Sequence, residues 1–127
     1  MPIVQVTEQN FEQTIKDGIV LIDFWAEWCG PCRVFAPIFE AAAERHPDIT
    51  FGKVDTETES GLAGGLRIRA IPTLMVLRDG VLLASQAGVV PDDVLDALIA
   101  EVRALDMDDV RKRLDEAPAA QRVEARS

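Results

Sequence analysis

The sequence predicts an α/β domain: a central mixed five-stranded β-sheet flanked by four α-helices, with an extra short helix at the C-terminus. Three observations carry this reading. Strand-length apolar runs alternate with amphipathic helical stretches in the order βαβαβαββα. The run Ile19 to Trp25 is apolar on both faces, as suits a central strand covered from both sides. The last two strands are joined through Asp79-Gly80, a hairpin signal that adds an antiparallel edge to otherwise parallel units.

Taken in order, Ile3 to Val6 is the first strand. Thr7 is the expected N-cap of the first helix, with Val6 and Phe11 at the spacing of a hydrophobic staple. That helix is expected to reach about Asp17, where Gly18 fits a left-handed end. Ile19 to Trp25 follows, interrupted by Asp23, which must be paired, hydrated or neutral if buried, or else lie exposed at the strand end. The second helix opens at Pro31 with Val34, Phe35, Ile38, Phe39 and Ala42 at helical spacing, and Pro37 is expected to kink it. It ends near His46, the sole histidine, placed to answer the helix dipole or to sit in water.

Ile49 to Asp55 is the third strand. Glu57 to Leu66 is a weak helix weakened further by Gly61, Gly64 and Gly65, each costing about 1 kcal/mol against alanine. Thr73 to Leu77 and Val81 to Ala87 form the hairpin, and Gly88 marks a turn or bulge. Pro91-Asp92-Asp93 opens the last major helix, whose expected apolar face is Val94, Leu95, Leu98, Ile99, Val102 and Leu105. A domain over residues 1–105 is therefore expected, then a C-terminal extension over 106–127: a short charged helix carrying Met107, Val110 and Leu114, and a flexible tail from Ala117.

A chain of 127 residues, 48% hydrophobic, supports one domain with a sizeable core. The formal net charge of −9 argues against nucleic acid, whose phosphates need a clustered positive surface. No apolar run is long enough to span a membrane, and Met1 to Thr7 lacks the basic start and apolar stretch of a signal peptide. The expected location is the cytoplasm. Two cysteines there point to redox chemistry or metal binding rather than to a structural staple.

Those two cysteines stand in Trp28-Cys29-Gly30-Pro31-Cys32, between the central strand and a helix. Unpaired N–H groups and the dipole at a helix start favour negative charge, and thiol–disulfide exchange begins with a thiolate. Cys29, at or before the first turn, is expected to be the more exposed and stabilised sulfur. Cys32, one turn on, is expected to be more buried and close enough to resolve a mixed disulfide. A zinc site needs four ligands, which one histidine and two cysteines do not supply. Trp25 reads as core, and Trp28 as a partly exposed flat surface beside the reactive sulfur.

Val20-Leu21-Ile22-Asp23-Phe24-Trp25-Ala26-Glu27-Trp28 before Cys29-Gly30-Pro31-Cys32, with Ile71-Pro72-Thr73 downstream, closely resembles the thioredoxin family over about residues 3–105. The resemblance implies a thioredoxin fold and reduction of protein disulfides through Cys29 as attacking thiolate and Cys32 as resolving thiol. It implies that Asp23 takes the Cys32 proton through water and that Lys53 lies near that acid. Pro72 matches the family's cis-proline, and Ile71 would offer backbone hydrogen bonds to a substrate strand. Trp28, Gly30, Pro31 and Gly88 join them as the expected substrate-facing surface, and Gly80 also falls on a family position. The implied partners are disulfide-containing proteins and a flavin- and NADPH-dependent thioredoxin reductase. A monomer is expected, with no resident cofactor or metal. Arg67 stands where many members have glycine, and Gly64-Gly65 where they have helix formers, which bears on the third helix. The rival readings are a binding or chaperone-like module that uses the C-terminal helix, and an oxidase or isomerase of an oxidising compartment.

Overall fold

The structure is a computed structural model that describes residues 3–116. Ten elements follow one another: β1 (Ile3–Gln5), α1 (Phe11–Ile15), β2 (Ile19–Trp25), α2 (Gly30–Arg45), β3 (Thr50–Asp55), α3 (Ser60–Gly65), β4 (Thr73–Arg78), β5 (Val81–Ala87), α4 (Asp92–Ala104) and α5 (Met107–Asp115). The strands form one mixed sheet in the order β1-β3-β2-β4-β5. β3 runs parallel to β1 and β2, and β4 runs antiparallel to β2 and β5. β2 is thus the middle strand, as its two-sided apolar character predicts.

Side-chain alternation along the strands divides the core into two layers. Leu21, Phe51, Leu74 and Val76 face α2 and α4, where they meet Phe35, Phe39, Leu95 and Ile99. Phe39 packs edge-on against Phe51, with ring centres 5.2 Å apart. Val20, Ile22, Phe24, Val54, Met75 and Leu77 face the other way, onto Phe11 and Ile15 of α1 and Leu62 of α3. Gly52 is required on that second face, because a Cβ there would stand 2.5 Å from Val6 Cγ2.

The first helix is shorter than Thr7 to Asp17. Thr7 and Asn10 exchange hydrogen bonds, Asn10 N–H donating to Thr7 Oγ1 and Thr7 N–H to Asn10 Oδ1. This reciprocal bond closes a turn over residues 8–10, and α-helix starts only at Phe11. Val6 and Phe11 still share one cluster, and Gly18 is left-handed at φ 71°. Pro37 does not break α2, which is helical without interruption from Gly30 to Arg45. The face of α4 is narrower than expected: Leu95, Ile99 and Val102 are buried, whereas Val94 and Leu105 are exposed. The Asp79-Gly80 hairpin has both residues at positive φ, 54° and 82°, as a type I′ turn requires.

The third helix is reduced to six residues. Arg67, just past it, adopts φ 61°. A left-handed residue with a side chain is disfavoured by about 1 kcal/mol, so a glycine here would be unstrained. His46 closes α2 and also clasps α4: its ring contacts Asp96 Oδ1 at 3.1 Å and the Arg103 guanidinium at 3.3 Å, while Arg103 pairs with Asp48.

The extension begins with α5, capped by Asp106, whose carboxylate accepts from the N–H groups of Asp108 and Asp109. Met107 is buried, and Arg111 reaches Asp79 Oδ2 in the β4–β5 turn at 3.4 Å. The Arg78 guanidinium donates to the carbonyls of Val102 and Leu105, tying the α4–α5 junction to the same turn. The tail expected from Ala117 lies outside the described residues.

Candidate functional site

The site is built where β2 hands the chain to α2. Cys29 is the N-cap of α2, in extended conformation, with Gly30 and Pro31 opening the first turn. Proline fits there because no helical N–H is needed. Cys29 and Cys32 form a disulfide with Cα atoms 5.3 Å apart. The backbone N–H of Cys32 points at Cys29 Sγ at 3.2 Å, so the first sulfur sits where the unpaired amides of the helix start converge.

The unequal exposure expected of the two cysteines is absent in this disulfide form, where they are 3% and 4% exposed. The bond draws Cys29 Sγ into the turn, against Ala26 and 3.7 Å from the carbonyl oxygen of Ile71. What distinguishes the sulfurs is the amide aimed at Cys29. Trp28 is 65% exposed and forms a flat apolar shoulder beside the pair.

The Ile71–Pro72 bond is cis. Pro72 is buried, and its carbonyl accepts from Gly88 N–H at 2.8 Å, with Gly88 at φ 94°. The sequence elements 28–32, 71–72 and 88 are therefore brought together: Ile71 through its carbonyl at Cys29, Gly88 through its amide at Pro72. Among the described residues the Ile71 N–H donates to no backbone group, leaving a short stretch of main chain open beside the sulfurs. Nothing lies within 4 Å of where a Cβ on Gly30 would stand, so no steric contact explains that glycine.

Asp23 is fully buried in β2, which excludes the exposed strand-end reading. Alternation places Leu21, Asp23 and Trp25 on the face that α2 covers, the side of the sheet under Cys32. Its ladder partner on β3 is Lys53, and Lys53 Nζ lies 3.8 Å from Asp23 Oδ2. Neither carboxylate oxygen has a hydrogen-bond partner among the described residues. Burial raises the Asp23 pKa from 3.8 to about 6, and the Lys53 charge partly opposes that rise. A carboxylate that titrates there can accept a proton near neutral pH.

Beside this pair a cleft of about 170 Å³ is lined by Trp25, Ala26, Glu27, Cys32, Arg33, Ala36 and Lys53. It puts Cys32 and Lys53 on the walls of one water-sized space, and its volume holds several waters. Of the lining residues that were not singled out as functional from the sequence, two make contacts that bear on the site. Trp25 reads as core but lies only half-buried, with Lys53 Nζ 5.2 Å above its ring. Arg33 donates to the backbone carbonyl of Glu27 at 2.7 Å, across the mouth of the cysteine turn. The alternation Leu21, Asp23, Trp25 is the signal that could have placed Trp25 beside the acid. Among the described residues no cluster suits a metal ion, and no helix is long and apolar enough to cross a membrane.

The thioredoxin family model matches residues 2–101. A Streptomyces coelicolor protein named "Putative thioredoxin 2" is 51% identical over 117 residues, covering 91% of this chain and 87% of its own. "Thioredoxin" of Bacillus subtilis is 38% identical over 100 residues, covering 78% of this chain and 96% of its own. "Thioredoxin" of Chlamydia trachomatis is 40% identical over 96 residues, covering 76% and 94% respectively.

Proposed function

The chain belongs to the thioredoxin family and is a thiol–disulfide oxidoreductase, and on that premise we propose how its residues divide the work of reducing a protein disulfide. Cys29 is the attacking thiolate. The observation that carries this assignment is the Cys32 N–H directed at Cys29 Sγ at the start of α2.

The thiolate of Cys29 attacks one sulfur of the substrate disulfide. The substrate S–S bond breaks, its other sulfur leaves as a thiolate and takes a proton from water, and a Cys29–substrate disulfide forms. Cys32 then gives its thiol proton to Asp23 through water in the adjoining cleft and attacks Cys29 Sγ. The second substrate sulfur leaves as a thiolate and is protonated from water, to which Asp23 returns its proton, and the Cys29–Cys32 disulfide remains. Two electrons have passed to the substrate. A flavin- and NADPH-dependent reductase restores the dithiol. Trp28, Pro31, Ile71, Pro72 and Gly88 form the surface on which the substrate strand lies, with the open main chain at Ile71 pairing to it.

We place the reaction in the cytoplasm, in a monomer, with residues 1–105 as the catalytic domain and 106–127 as an extension. The end of the family match at residue 101 supports that boundary. The binding-module alternative is not favoured. The redox pair is in place, and Met107 of α5 is buried on its own domain.

The test is a trap. Cys32→Ser incubated with an oxidised protein substrate should accumulate a mixed disulfide on Cys29, visible by mass spectrometry. Cys29→Ser should neither reduce the substrate nor form adducts at a comparable rate. Equal adduct formation on Cys32 in Cys29→Ser would reverse the two roles.

A further inference from the structure

Asp23, Trp25 and Lys53 occupy one face of the sheet for reasons of register. Asp23 and Trp25 are two apart on β2, and Lys53 stands opposite Asp23 on β3. The Lys53 ammonium lies 3.8 Å from Asp23 Oδ2 and 5.2 Å from the centre of the Trp25 ring. At 3.8 Å the lysine is an ion-pair partner of the carboxylate without being hydrogen-bonded to it. Its stem is flexible and its head strongly hydrated, and it borders a space large enough for water. A single contact of that length does not fix such a side chain. The indole face is the second attractor, favouring the docked ammonium about fivefold over the hydrated one.

Trp25 is itself held independently of both charges. Its carbonyl accepts from the Thr56 N–H at 2.9 Å and from the Thr56 hydroxyl at 3.1 Å, and its side chain packs on the cluster of Ala26, Cys29 and Cys32. The indole Nε1 is buried and has no hydrogen-bond partner among the described residues, so a polar contact of its own does not explain its placement. Among the described residues the nearest rival charge is Asp55, the ladder partner of Trp25 and two along from Lys53 on β3, and its carboxylate is engaged by the Glu57 and Thr58 amides. β4 presents Leu74 to Asp23, α2 presents Cys32, Arg33 and Ala36 to the cleft, and Arg33 is engaged by the Glu27 carbonyl. Glu27 is the one acid that lines the cleft.

We propose that Trp25 is a positioning residue: its indole face holds the Lys53 ammonium against Asp23, so that the carboxylate serving Cys32 works under a fixed positive charge. The proposal rests on the reading of Asp23 as proton acceptor and names what tunes it. Trp25 touches the cysteine cluster on one side and Lys53 on the other, so it joins the redox pair to its acid.

The experiment is a titration of the Asp23 carboxyl carbon by NMR in the oxidised protein, where neither cysteine titrates. It is run on the native chain, Trp25→Leu, Lys53→Met and the double variant. Removing the indole also admits water, which moves the midpoint in its own right, and the Lys53→Met background measures that part alone. The expected result is that Trp25→Leu moves the midpoint upward by about half a unit or more with Lys53 present, relative to its effect in Lys53→Met. Trp25→Phe keeps a weaker ring face and should show the same difference, reduced, which preserves the test if Trp25→Leu does not fold. Equal shifts in both backgrounds overturn the proposal. No substrate is present, so this outcome is independent of whether Cys32→Ser forms its adduct.

Discussion

Replacing Asp23 by asparagine should make the protein more stable and a poorer catalyst, and the stability gain should depend on pH in a way that identifies its cause. In the folded protein burial holds the Asp23 carboxyl at about 6, against 3.8 for the free group. At about 1.4 kcal/mol per pH unit, that difference corresponds to about 3 kcal/mol. The unfolded chain releases this proton at lower pH than the folded one. The stability associated with the neutral carboxyl is therefore fully present below about pH 3.8 and is lost as pH rises through about 6. Asp23→Asn removes the loss, so its advantage is near zero at pH 3.5 and approaches about 3 kcal/mol at pH 8. The buried amide has polar atoms of its own to satisfy, and this lowers the gain by about 1 kcal/mol. Urea unfolding of both proteins at several pH values reads the difference directly, and the midpoint of thermal unfolding at pH 8 should rise by several degrees. Catalytically, the attack of Cys32 on the mixed disulfide should slow by about 100-fold near neutral pH, as loss of a positioned base predicts. A stability difference that is the same at pH 4 and pH 8 would refute the titration argument. Unchanged release of substrate from the mixed disulfide would remove Asp23 from the mechanism.

Two further predictions concern the periphery. Ending the chain after Leu105 should leave disulfide reduction intact and cost about 2 kcal/mol in a denaturant melt, because it uncovers the surface under Met107 and removes the Arg111–Asp79 pair. Loss of folding would show that the catalytic domain extends through α5. In the third helix, Gly64→Ala should stabilise by about 0.5–1 kcal/mol, since nothing lies within 4 Å of the new Cβ and the helix favours alanine. Arg67→Gly should relieve the left-handed backbone at φ 61° and gain up to about 1 kcal/mol, and a melt showing either variant destabilised would contradict this account of α3.

The sequence by itself determined the order of elements, the central place of β2 and the chemistry of the turn. Those features are encoded locally. Two-sided hydrophobicity marks a middle strand, Asp79-Gly80 sets a hairpin, and a cysteine pair with a first-turn proline between strand and helix sets a reactive helix start. The tertiary structure decided whatever depends on residues distant in the chain. Thr7 looks like a helix cap, yet its exchange of bonds with Asn10 closes a separate turn, because a local polar pair competes with the helix. Val94 and Leu105 have the period of a core stripe, but α4 packs on the core through Leu95, Leu98, Ile99 and Val102. The equal burial of Cys29 and Cys32 follows from the bond between them and from Ile71, which arrives from β4's side of the sheet. Trp25 and Lys53 are 28 positions apart, and only the parallel register of β2 and β3 brings the ammonium over the indole. Strand register is fixed by burial summed over the whole sheet, so no local window of sequence contains it.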